Sequence, residues 1–108
     1  MAPPAFGAII TLNGTLGRRF SFTAYPWGTP LVRAGGVYVV LNSDSALTPI
    51  TYVGQTGDLS ERFDAHHKAL CFVRHGRTHI AVLLEGNETQ RRLIESELIR
   101  SNNPPCNG

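Results

Sequence analysis

Phe20, Phe22 and Ala24 alternate with Arg19, Ser21 and Thr23, the two-residue period of a strand with one face in a core. This alternation predicts a strand over residues 18–25. Residues 8–12 supply an apolar partner, with Asn13-Gly14 as the turn between them. Pro26, Gly28 and Pro30 then force a loop. Residues 36–42 and 50–54 predict a third and a fourth strand. The polar connection between them, 43–49, is short enough to favour antiparallel pairing. With the pair centred on that connection, Tyr38 falls opposite Tyr52 on one face of the sheet, and a one-residue slip would separate the two phenols.

Asp58 with Glu61 three residues later is a capping-box arrangement, and predicts a helix with Leu59, Phe63 and Leu70 as its apolar stripe. On that helix Arg62 and His66 stand at i, i+4 and share a face. Residues 79–84 predict a further strand. Asn87 with Gln90 opens a second helix running to about Arg100, before Pro104-Pro105 ends regular structure. Four strands, a helix, a strand and a helix imply an α+β fold: a small, mainly antiparallel sheet flanked by helices. Residues 1–35 read as an N-terminal β-hairpin addition packed on the domain formed by 36–108.

Composition narrows this only in part. A chain of 108 residues has room for one core. Cys71 and Cys106 are its only cysteines, and in a chain with no export signal they read as two reduced thiols. Structural zinc is the runner-up, with His66, His67, His75 and His79 as candidate co-ligands, although no Cys-x-x-Cys or finger-like spacing occurs. A net charge of +2 does not announce a nucleic-acid binder. The distribution says more. Nine of the ten cationic residues are Arg, which suits bidentate phosphate contacts, and no acid lies between Asp64 and Glu85. Lys68, Arg74 and Arg77 fall in that interval with the four histidines, a face for a polyanion or simply a solvated surface. No segment approaches the ~20 apolar residues that span a bilayer, and the expected location is the cytoplasm.

With these residues in place, the chain resembles the GIY-YIG nuclease family. Gly36-Val37-Tyr38 looks like its first signature tripeptide and Tyr52-Val53-Gly54 like its second, each with Val in place of Ile. Arg62 stands where the family keeps its arginine, and His66 where members have a Tyr or His. "LIESELIRSNNPPCN" is similar to the stretch carrying the family's metal-binding Glu and terminal Asn. The resemblance covers about residues 36–107. Helical periodicity leaves Glu95 and Glu97 equivalent, on opposite edges of the arc made by Leu93, Ile94 and Leu98. The family's spacing before a Leu-Ile pair selects Glu95.

The resemblance implies a divalent-metal-dependent endonuclease that hydrolyses phosphodiester bonds, in DNA ahead of RNA. Glu95 would hold Mg²⁺ or Mn²⁺, for which one carboxylate with water and substrate phosphate is enough. Arg62 would bind the scissile phosphate and stabilise developing charge. Tyr38 is favoured as the base, with Tyr52 orienting the phosphate and His66 shuttling a proton or contacting phosphate. Gly36, Gly54 and Asn107 are supporting residues, Asn107 by hydrogen-bonding the tyrosine-bearing strands from the tail. Gln55 departs from the pattern, because several members have a basic residue there. That departure keeps an alternative open: a module that binds nucleic acid or assembles on it without cutting. With no specificity domain evident, the domain would rely on a second copy of itself or on a targeting protein.

Overall fold

β3 (Gly36–Leu41) is buried along its whole length, because strands flank it on both sides and side chains cover both of its faces. The computed structural model describes residues 7–43, 49–61 and 66–108. β3 pairs antiparallel with β4 (Tyr52–Thr56) on one side and with β5 (His79–Leu84) on the other. Beyond β5 come β2 (Arg19–Pro26) and β1 (Ala8–Asn13), which complete one antiparallel sheet in the order β1-β2-β5-β3-β4. The fold is therefore α+β. The hairpin of the first third continues the sheet through the pairing of Thr23 with Val82, rather than forming a layer of its own.

The two faces of the sheet have different covers. Val37, Val39, Leu41, Val53, Ala81 and Phe22 pack against Ile94 and Leu98 of α2 (Glu88–Asn102). Burying side chains of this size contributes roughly 1.5–3 kcal/mol each. The Asn87 side chain accepts the Gln90 N–H at 3.0 Å to start α2, and Asn103, left-handed at φ 46, ends it. On the other face Tyr38, Ile80 and Val82 meet Leu31 and Leu59, while Val40 meets Phe72 of α1 (Ala69–Arg74) and Cys106. No helix among the described residues is long and apolar enough to cross a membrane.

Three expectations change. The first strands are joined not by a two-residue Asn13-Gly14 turn but by a 3₁₀ turn, Thr15–Gly17, in which Leu16 and Gly17 both have positive φ. Glu97 anchors this connection by accepting from Thr15 Oγ1 at 2.7 Å and pairing with Arg18 at 3.1 Å, so it is a strut rather than a solvated carboxylate. Nor does Asp58 open a helix. Its carboxylate accepts the Ser60 N–H at 2.9 Å within a turn, and Thr56 Oγ1 takes Glu61 at 2.7 Å. A short acidic side chain can satisfy the backbone locally in this way as readily as it caps a helix. Leu59 is buried as expected, but Leu70 is 82% exposed; Phe63 lies outside the described residues, and the helix described is α1, Ala69–Arg74.

The third change concerns the cysteines. Cys71 of α1 and Cys106 of the C-terminal 3₁₀ turn Pro105–Asn107 form a disulfide instead of standing as separate thiols. The tail folds back over the sheet, with Cys106 N–H on the Thr51 carbonyl at 3.0 Å, and this long-range closure brings the sulfurs together. The bond closes a loop with a sequence separation of 35. Chain-entropy reasoning then makes it worth about 3–4 kcal/mol. Urea unfolding of the oxidised and the reduced, chelator-treated chain should differ by about that amount. Coincident unfolding curves would show that the tail contributes nothing to global stability.

Candidate active site

The β3–β4 register places Tyr38 opposite Gly54 and Tyr52 opposite Val40. This is two residues away from a direct Tyr38–Tyr52 pair. Because side chains alternate with a period of two, the shift keeps both rings on the same face, as diagonal neighbours with centroids 6.1 Å apart. The motif glycines make room for this arrangement. A Cβ on Gly54 would stand 2.5 Å from Cζ and Oη of Tyr38, and one on Gly36 would meet the Leu83 carbonyl at 2.6 Å and Leu59 Cδ1 at 2.7 Å.

His66 follows in a turn before α1. Its Nδ1 accepts the Lys68 backbone N–H at 2.9 Å, and its Nε2 lies 2.9 Å from Tyr38 Oη. A backbone N–H can only donate, so the neutral ring carries its proton on Nε2 and donates it to the Tyr38 oxygen. Tyr52 is the next polar neighbour of Tyr38. The polar contacts therefore connect His66, Tyr38 and Tyr52. Phe72 packs its ring 5.2 Å from Tyr52 and 5.1 Å from His66, and His67 stacks on His66 at 4.4 Å. Neither neighbour has a sequence signal, because ring contacts of this kind are set by how the turn folds onto the sheet.

Both phenols are held neutral. Burial, above all, holds the Tyr38 hydroxyl well above the usual tyrosine range, and the neighbouring Tyr52 and the charge of Glu95 add to it. Tyr52 is also raised, chiefly by burial and then by Glu95. Tyr52 keeps more contact with solvent than Tyr38, which is 5% exposed. Glu95, half-buried on α2, is itself pushed up by burial. Its charge bears on both phenols although α2 packs against the opposite face of the sheet, whose edge strand is β4.

Among the described residues no hydrogen bond or ion pair reaches the Glu95 carboxylate. Arg92, the cation nearest in effect, is taken by Glu88 through contacts at 2.9 and 2.8 Å. A half-buried carboxylate left without a partner fits a hard divalent cation completed by water and phosphate. Arg62 lies outside the described residues. Asn107 receives the Val53 N–H at 2.8 Å and returns a bond to the Val53 carbonyl at 2.9 Å, extending the β4 edge as another strand would. Lys68 precedes α1, Arg74 closes it, and the Arg77 guanidinium sits 4.6 Å over the Trp27 ring, which in turn meets Phe72. All three lie on the α1 side of the sheet, the side of the phenols. Gln55 accepts at 2.9 Å from Arg91, a buried guanidinium that also donates to the Glu85 and Gly86 carbonyls. Arg91 is a structural cation that no motif announced.

Two measurements follow from this geometry. Gly54→Ala should cost about 1–3 kcal/mol by overpacking against Tyr38, and much less in a Tyr38→Ala background. Equal costs in the two backgrounds would refute the contact. Burial, followed by His67 and Lys68, lowers the His66 pKa, so folding favours the neutral ring. Its contribution to stability is present above the unfolded value of about 6.5 and is lost as pH falls through the lowered folded value. Urea unfolding between pH 7 and 5 should show wild type losing stability relative to His66→Gln, and parallel curves would contradict this. Compared with family models, curated proteins and solved structures, the chain matches none of them.

Proposed function

We propose that the protein is a phosphodiester-hydrolysing endonuclease whose centre is Tyr38, Tyr52, His66 and Glu95, with Arg62 as phosphate ligand. The observation that carries this reading is the cluster of His66, Tyr38 and Tyr52, together with a half-buried carboxylate whose charge bears on both phenols and which no hydrogen bond or ion pair reaches among the described residues. A structural aromatic cluster has no need of an unpaired acid at its edge.

In this reading Tyr52, the less buried phenol, takes the proton of the attacking water. Tyr38 holds Tyr52 in place and passes on the influence of His66. Glu95 would hold Mg²⁺ or Mn²⁺, which would supply Lewis-acid stabilisation of phosphoryl charge and favour the phenolate. Arg62 neutralises the phosphate. Lys68, Arg74 and Arg77 flank the phenols and suit a polyanionic backbone. DNA is the preferred substrate class, with the target chosen by a second copy or a targeting protein. The proposed location is the cytoplasm, where Cys71 and Cys106 would meet reductant.

Plasmid cleavage with Mg²⁺ tests the reading. Glu95→Gln and Tyr52→Phe should each lower the rate on the order of 10²-fold or more, with Tyr38→Phe milder than Tyr52→Phe. Without metal, Glu95→Gln should be at least as stable as wild type at neutral pH, because it removes a charge that burial disfavours. Salt-sensitive binding with no cleavage by wild type would instead identify a non-cutting module.

A further inference from the structure

At the end of α1, three donor side chains from two distant segments converge. Cys71 and His75 stand one helical turn apart, α1 ending between them at Arg74, and Cys106 arrives from the tail. Their donor atoms all lie within 4.8 Å of one another. The His75 Nδ1 is 3.7 Å from each of the two sulfurs. A disulfide requires nothing from an imidazole. Tetrahedral zinc, with bonds of about 2.3 Å to S and 2.0–2.1 Å to N, sets neighbouring S and N atoms roughly 3.6 Å apart and the two S atoms about 3.8 Å apart. The S–N spacings already have that size in the disulfide, and reduction frees the bonded sulfurs to part to theirs.

We propose that the reduced chain binds Zn²⁺ through Cys71 Sγ, Cys106 Sγ and His75 Nδ1, with the fourth position open to solvent. A dithiol reductant supplies two electrons and two protons, breaking the S–S bond and leaving two thiols while the reductant becomes a disulfide. Metal binding then displaces both thiol protons. In the oxidised chain Nδ1 carries a proton, because it faces the Cys71 carbonyl at 3.0 Å and a carbonyl only accepts. Ligation moves that proton to Nε2, which the exposed ring can turn to water. Among the described residues no fourth ligand joins the group.

This site is separate from the one at Glu95. Thiolate and imidazole select zinc-like ions, whereas a carboxylate with water suits Mg²⁺ or Mn²⁺. It also gives the tail two alternative fasteners. Cys106 neighbours Asn107, whose side chain holds the β4 edge at Val53, next to Tyr52. A covalent bond under oxidising conditions and a metal bridge under reducing ones would each keep that clamp closed.

Titrating the reduced, metal-free chain with Co²⁺, and following thiolate-to-cobalt charge-transfer absorption, tests the assignment. Wild type should saturate at one Co²⁺ per chain and lose the band to added Zn²⁺, and the oxidised chain should show none. Cys106→Ser should weaken the band. His75→Ala, at an exposed position that does not threaten folding, should bind at least tenfold more weakly. Glu95→Gln should bind Co²⁺ here as wild type does even when it no longer cleaves, which separates this site from the nuclease reading. Absence of the band in reduced wild type, or unchanged affinity in His75→Ala, would overturn the proposal.

Discussion

The Tyr38 ring occupies the space that a side chain at position 54 would fill, and the rest of the site depends on that contact. With Gly54 across from it, a bulky aromatic can lie over the neighbouring strand and reach diagonally to Tyr52. Any larger residue at 54 would push the phenol off the sheet and break its contacts with His66 and Tyr52. The second motif glycine, Gly36, serves the same end from below by admitting Leu59 and the Leu83 carbonyl. Glycine matters at both positions because it lacks a Cβ, not because its backbone is free.

From this contact the polarity of the cluster follows. A backbone N–H fixes the His66 tautomer, and the tautomer fixes the direction of the bond to Tyr38. Burial raises both phenols, so the protein alone holds them neutral. In the proposed reading an added positive charge would bring one into a useful range, with Glu95 as its anchor. Among the described residues no hydrogen bond or ion pair reaches Glu95, and the burial of its carboxylate is a cost that a cation would relieve.

The structure is fastened at three further places. Glu97 ties the hairpin connection to α2, Arg91 joins the end of β4 to the turn before α2, and the tail closes over β4 through Asn107 and the Cys71–Cys106 bond. Each fastener links segments far apart in sequence. Each is also a polar or covalent contact at the rim of the sheet, where apolar packing has run out.

Local pattern was enough for what local physics decides. The alternation in 18–25, the strands at 36–42, 50–54 and 79–84, and the Asn87 cap with Gln90 were all legible, because side-chain period and capping chemistry act within a few residues. The common face of Tyr38 and Tyr52 was legible too, since a register shift of two preserves the parity that a shift of one destroys. The turn at Asp58 is also a local event, since Ser60 two residues on takes the same carboxylate, but the pattern admits cap and turn alike. Tertiary structure alone decided the position of Arg91 under Gln55 and the union of Cys71 with Cys106. These depend on burial and on contacts across tens of residues, and no short window of sequence carries that information.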